Sequence, residues 1–217
     1  MTCGEMADRV LKEVGVDPLA PVYYHHNEAV DALNEAQRFF ALLTLCLEST
    51  GSVALEAAIT WYDMLGSQPD MGVVVRVSRS TGEKLRPCRI TDLDARGATW
   101  QGEAGNPVRY AVAGPLLAIH PRPAINSGEV VLLCSRMPAR MTADSAVPEV
   151  PAEYHPDLID YAVYRLRMKE GGQEFVKELP RFQSFMAAAK KMADYVRRRN
   201  GGGAYDRLPF ELEVTGG

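Results

Sequence analysis

The sequence is short of the residues that carry chemistry. Among its 217 residues there are four histidines and four cysteines, and no Cys-x-x-Cys pair occurs. Cys3, Cys46, Cys88 and Cys134 stand more than forty residues apart, which argues against a zinc site of the common kind. They read as free thiols in a reducing compartment. There is no phosphate-cradling glycine loop, no G-x-G-x-x-G, no G-x-S-x-G and no acid pair in a convincing context. No uncharged apolar run approaches the ~20 residues an ordinary membrane span requires. The opening MTCGEMADRVLKEVG lacks both a long apolar core and a small-residue cleavage site, so no signal peptide is expected. An excess of positive charge is missing too: 24 basic against 28 acidic residues give a net charge of −4. Non-specific grip on nucleic acid is largely cation-to-phosphate attraction, so this is a poor duplex-gripping protein. The balance still suits a passage through which DNA slides without sticking.

What is present is ordinary globular composition, 47% apolar and 24% charged. A chain of this length removes roughly 70–75% of its unfolded surface from water, enough for one large core or two small ones. Residues 5–14 predict a short helix with Val10, Leu11 and Val14 on one side, stopped by Gly15. Pro18 and Pro21 hold the next stretch extended or turned. NEAVDALNEAQRFFALLTLCLES predicts a longer helix capped by Asn27 and ended by Gly51. Its apolar stripe is Val30, Leu33, Ala36, Phe40, Leu43 and Leu47, and its solvated face Asp31, Asn34, Glu35 and Arg38.

From about 52 to 150 the pattern changes. SVALEAAITW, MGVVVRVSR, KLRPCRI, PVRYAVAG, PLLAIHP and EVVLLCSRM are short β-like segments. Ser80-Thr81-Gly82-Glu83 and Gly114-Pro115 supply tight turns between them. DSAVPEVPAEYHP is a proline-punctuated exit. Helical periodicity returns at Asp157, with Leu158, Tyr161, Ala162, Arg165 and Leu166 on one side and a stop at Gly171-Gly172. A last helix steps through Phe175, Leu179, Phe182, Met186, Ala189, Ala193 and Val196, a seam of period 3.5 that Pro180 either starts or kinks. Packing on the helix at 28–48 is its natural use.

The expected fold class is α+β. A helical bundle comes from both ends of the chain, 1–50 and 151–200, with an antiparallel β sandwich or barrel-like module (51–150) inserted between. Residues 201–217, GGAYDRLPFELEVTGG after the first glycine, form a flexible docking tail.

Few groupings suggest a site. His25-His26 with Glu28 has ligand types but no third or fourth ligand nearby, and a solvated helix entry explains it better. His155 and Asp157 offer an imidazole–carboxylate pair, though Asp157 capping a helix beside an exposed His155 is the simpler reading. His120 has no acidic neighbour in sequence. Lys190, Lys191, Arg197, Arg198 and Arg199 suit the exposed carbonyls of a helix C-terminus or an acidic protein surface better than phosphate. No metal, cofactor or catalytic residue is expected.

One stretch, TWQGEAGNPVRYAVAGPLLAIHPRP, carries the most information. Trp100 is followed by Gly105-Asn106-Pro107, Tyr110, the apolar Leu116-Leu117-Ala118-Ile119, and Pro121-Arg122-Pro123. After EVVLLCSRMPARM comes a Val-Pro-x-x-Tyr-His-Pro-x-Leu-Ile-x-Tyr-Ala pattern that includes Tyr154 and Tyr161. This order and spacing, over most of residues 28–199, resembles the head–tail adaptor (connector) proteins of tailed bacteriophages. ITWYDMLGSQPD departs from the family pattern, with its proline displaced to Pro69. Trp100 and Tyr110 are then large apolar anchors of the β module. Gly105, Pro107, Pro121 and Pro123 set the chain direction where strands begin and end.

The resemblance implies a structural virion protein at the head–tail interface, assembled in the host cytoplasm. It would bind the portal as a dodecameric ring, extend the DNA channel, and carry tail, neck or tail-terminator proteins. Packaged DNA would pass through its lumen without sequence-specific binding, and no membrane is involved. Tyr205, Leu208, Pro209, Phe210 and Leu212 are the expected anchors of a tail docking on the portal or a neighbouring subunit. Two rival readings are a binding β module of a phage tail tip or neck and, less favoured, a small hydrolase.

Overall fold

The computed structural model describes residues 1–15, 23–66, 68–97, 99–126 and 128–200, with backbone alone at 174 and 175. The expectations at Pro18, Pro21, the side chain of Phe175 and the tail 201–217 lie outside the described residues. The chain divides into two compact units, Glu48–Arg136 and a helical unit of Met1–Leu47 with the chain from Met137 onward.

In the helical unit, α1 (Cys3–Glu13) is opened by a reciprocal cap. The Glu5 amide donates to the Thr2 hydroxyl, and the Thr2 amide donates to the Glu5 carboxylate. Met6, Ala7, Val10 and Leu11 are fully buried, and Gly15 (φ +82°) turns the chain after the helix as only glycine does readily. Helix α2 (His26–Thr44) starts earlier than expected and ends earlier too. The Glu28 carboxylate accepts from the His25 amide at 3.0 Å, so the cap falls on His25 and not on Asn27. The helix stops at Leu45, which takes a left-handed φ of +52°. The short α3 (Ile90–Asp94) belongs to the other unit, and α4 (His155–Arg167) and α5 (Gly172–Asn200) complete this one.

Helices α1, α2, α4 and α5 pack around an aromatic core. Phe185, fully buried, lies 4.8 Å from Tyr161, 5.8 Å from Phe39 and 5.9 Å from Phe40, centroid to centroid. Tyr154 packs on Phe40 at 5.0 Å. The buried seam of α5 is Phe185, Met186, Ala189, Met192 and Val196; Leu179, Phe182 and Ala193 are only half-buried. Pro180 lies inside α5, so the helix does not begin there.

The other unit is built from β1 (Glu48–Ala54), β2 (Trp61–Asp63), β3 (Met71–Arg79), β4 (Arg86–Pro87), β5 (Ala104–Gly105), β6 (Arg109–Ala113), β7 (Leu116–His120), β8 (Arg122–Pro123) and β9 (Glu129–Arg136). Gly51 is therefore a strand residue and no helix stop. SVALEAAITW is likewise not one strand: β1 ends at Ala54, and Trp61 starts β2. The strands form sheets ordered β1-β9-β3, β2-β7-β6-β4 and β5-β8. Their longer pairings are antiparallel; β4 with β6 and β5 with β8 are two-residue parallel pairings.

No closed barrel forms among the described residues. The two larger sheets instead face each other across one core: Val53, Val77, Val130, Leu132 and Cys134 from the first meet Tyr62, Tyr110, Leu117 and Ile119 from the second. Strand alternation sends Trp61, Ala111 and Ala118 to the opposite face of the second sheet, where Leu93 and Trp100 cover them. Trp100 and Tyr110 thus anchor separate cores on the two faces of one sheet.

Candidate functional site

The described residues bring no three His, Cys, Asp or Glu side chains together in a way that could hold a metal ion. His25 caps α2, and His26 Nε2 lies 3.8 Å from Asp144 rather than beside a shared ion with Glu28. Glu28 instead pairs with Lys169 at 2.8 Å, and that bond is the main reason its carboxyl titrates below the usual range.

His155 is not exposed. It is 1% accessible at the first turn of α4, with Nε2 3.0 Å from the Val150 carbonyl. Asp157 sits inside that first turn, not at the cap. Burial raises the pKa of Asp157 and lowers that of His155 below 6.5. A ring that is neutral when folded and charged when unfolded takes up protons on unfolding. Stability from this group is therefore complete above about 6.5 and falls as pH drops toward the folded value. Urea midpoints measured across that window will decline with acid in the wild type. In His155→Gln, which keeps an N–H donor and does not titrate, this part of the slope will be flat.

His120 is buried, with Nε2 3.5 Å from a Glu103 oxygen, so the acidic neighbour absent from its local sequence comes from the chain before β5. Its ring meets Trp100 edge-on at 6.0 Å. Trp100 Nε1 donates to Asp94 at 2.8 Å. Gly105 lies against Pro121, 3.3 Å from where a Cβ would stand, and Pro107 and Pro123 are buried. Tyr161 donates to Glu35 at 2.8 Å, and burial with this bond pushes its pKa up. Cys134, buried in the sheet core, is raised to about 11, so its thiol is inert at neutral pH.

The basic residues lie along the end of α5. Lys190 and Lys191 are exposed. Arg197 reaches Asp194 at 3.3 Å, Arg198 donates to the Asp194 carbonyl, and Arg199 stands over Tyr195. The three arginines thus sit on the last turn, where cations favour the exposed carbonyls, while Lys190 and Lys191 lie further back on the helix. The docking residues Tyr205, Leu208, Pro209, Phe210 and Leu212 lie outside the described residues.

Several organising residues had little sequence signal. Asn34, read as solvated, is buried: it donates to the carbonyls of Val30 and Met141 and accepts from the Met141 amide at 2.7 Å. Gln37 donates to Asn34 and to the Ala139 carbonyl. Together they clamp the chain leaving β9 against α2. Arg181 reaches Glu13 (2.6 Å), Asp160 (2.7 Å) and Glu178 (2.8 Å), tying α1, α4 and α5. A groove of about 410 Å³ beside α2 and α4 holds Glu28, Asp31, Glu35, Arg165 and Lys169. Asp31 pairs with Arg140, Glu35 with Arg165 and Glu28 with Lys169, so its charges are already answered within the molecule. Among the described residues, these polar side chains join chain segments.

Residues 1–207 match the model of the SU10 adaptor protein family. The chain belongs to that family. Membership makes this a bacteriophage adaptor, a structural component of the virion at the head–tail junction. No curated protein matches the chain. For a phage adaptor, bonds that pin strands and helices to each other are the expected use of polar residues. No helix among the described residues is long and apolar enough to cross a membrane.

Proposed function

We propose that this SU10-family adaptor docks beneath the portal as a closed dodecameric ring, extends the DNA channel and offers a platform to tail or neck proteins. The observation that carries the reading, beside family membership, is the manner of the β insertion. Strands β1 and β9, through which the chain enters and leaves the β unit, pair along Glu48–Ala54 and Glu129–Ser135. Both ends of the β unit are thus brought together on one antiparallel pair, as in a module inserted into a helical frame. A ring needs a heterologous interface, one surface of each copy against a different surface of the next. A net charge of −4 on each copy favours a neutral or acidic lumen that does not grip DNA. Lys190, Lys191 and the arginines at 197–199 supply contacts to acidic protein surfaces. The tail residues Tyr205, Leu208, Pro209, Phe210 and Leu212 dock on the portal or on a neighbouring copy, where ordering them costs part of the binding energy.

Electron microscopy of necks purified from particles tests this directly. The expected image is a dodecameric ring of this chain between portal and tail. A single copy, an open arc or a position at the distal tail tip overturns it.

A further inference from the structure

The exposed edge of β1 lacks the devices that normally protect a sheet edge. Its sequence, Glu-Ser-Thr-Gly-Ser-Val-Ala, has no proline and no lysine, and β1 pairs with β9 without a bulge. The Leu55 amide donates inward to Gly128, so the odd-numbered residues face β9. Thr50, Ser52 and Ala54 therefore aim their backbone groups outward, and all of them are exposed. Among the described residues, one side chain meets that row. The Gln68 amide donates to the Thr50 carbonyl at 2.9 Å and accepts from the Ser49 hydroxyl at 3.1 Å. It lies so close to Gly51 that a Cβ there would stand 2.6 Å from it. A side-chain amide fills the place of a strand's peptide group.

A segment of the same chain has the complementary pattern. Phe210-Glu211-Leu212-Glu213-Val214 alternates apolar and acidic residues with the period of a strand that has one buried and one solvated face. We propose that residues 210–214 of a neighbouring copy add as a strand to the outer edge of β1. The backbone groups of Thr50, Ser52 and Ala54 then gain partners, with Gln68 displaced from Thr50. Phe210, Leu212 and Val214 fall on the side of the buried Val53, where they extend the sheet core. Glu211 and Glu213 fall on the open side with the exposed Thr50 and Ser52. Backbone pairing supplies affinity and the alternate side chains supply register. The identity of the occupant as a second copy rests on the ring reading above.

Amide exchange of the wild-type protein reads the edge without any variant. In purified necks the amides of Thr50, Ser52 and Ala54 will exchange roughly tenfold or more slowly than in the same chain diluted to monomer. The occupant is identified with two differently tagged copies carrying Ser52→Cys and Glu213→Cys. A disulfide joining the two tags is expected, and much less of it when Leu212→Cys replaces Glu213→Cys, because alternation turns residue 212 to the other side. Rapid exchange at all these amides overturns the strand addition even if microscopy shows a closed ring. Slow exchange with disulfides only inside one copy, or with none, overturns the second copy as occupant. Loss of the ring in the images counts against the ring reading alone, since exchange at β1 still reports whether its edge is covered.

Discussion

Replacing Phe185 by alanine will destabilise the helical unit by ~3–5 kcal/mol, the largest effect expected of any single substitution there. The ring is fully buried and stands at the meeting point of Phe39, Phe40 and Tyr161. Those partners come from α2 and α4, while Phe185 itself belongs to α5. Truncation therefore removes aromatic contacts to two helices at once and leaves a void that rigid rings cannot fill by small rotations. Phe185→Leu keeps most of the volume and should cost well under half as much. Urea unfolding of the full chain measures both, and faster amide exchange in α4 and α5 locates the loss. An alanine variant within ~1 kcal/mol of wild type would contradict the claim that this ring organises the bundle.

Trp100→Ala will have an effect of similar size, ~3–5 kcal/mol, in the β unit. The indole is 2% exposed and fills the space above Ala111 and Ala118, two small residues that leave room for it. Trp61 and His120 meet it edge-on, each at 6.0 Å. Its Nε1 bond to Asp94 at 2.8 Å also fixes the end of α3. Trp100→Phe helps separate the two contributions, because it retains a ring while losing that bond and a smaller part of the indole's volume. Its cost should be nearer ~1–2 kcal/mol. Denaturation followed through the remaining Trp61 reports both variants. Equal losses in the phenylalanine and alanine variants would mean that the hydrogen bond, not the packed ring, holds this layer.

The legible parts of the sequence were those governed by local rules. The short valine- and leucine-rich runs in MGVVVRVSR and EVVLLCSRM mark β3 and β9, and Gly82 (φ +90°) and Gly114 (φ +56°) occupy the turns their surroundings predict. The stop at Gly171-Gly172 is equally local, since both adopt positive φ. Long-range competition set the less legible boundaries. Leu47 continues the apolar stripe of α2, yet pairing of Glu48–Ala54 with β9 satisfies a whole strand of backbone groups and the helix ends at Thr44. The seam of α5 shows the same limit. The expected stripe ran through Phe182 and passed over Phe185, and only the rings arriving from α2 and α4 bury Phe185 more deeply.

Polar residues were the least legible. Asn34 and Arg38 have similar places in the sequence, one helical turn apart, but Asn34 is buried because the Met141 backbone needs both a donor and an acceptor. His155 is buried for a comparable reason, with the Val150 carbonyl opposite its ring. The sequence by itself determined the α+β class, the adaptor likeness and the turn positions, since each depends on neighbours within a few residues or on the order of motifs. Only the tertiary structure decided the open two-sheet packing, the uncovered edge of β1 and the fate of each buried polar group. Those outcomes depend on which distant backbone arrives with an unmet hydrogen bond, and no local pattern carries that information.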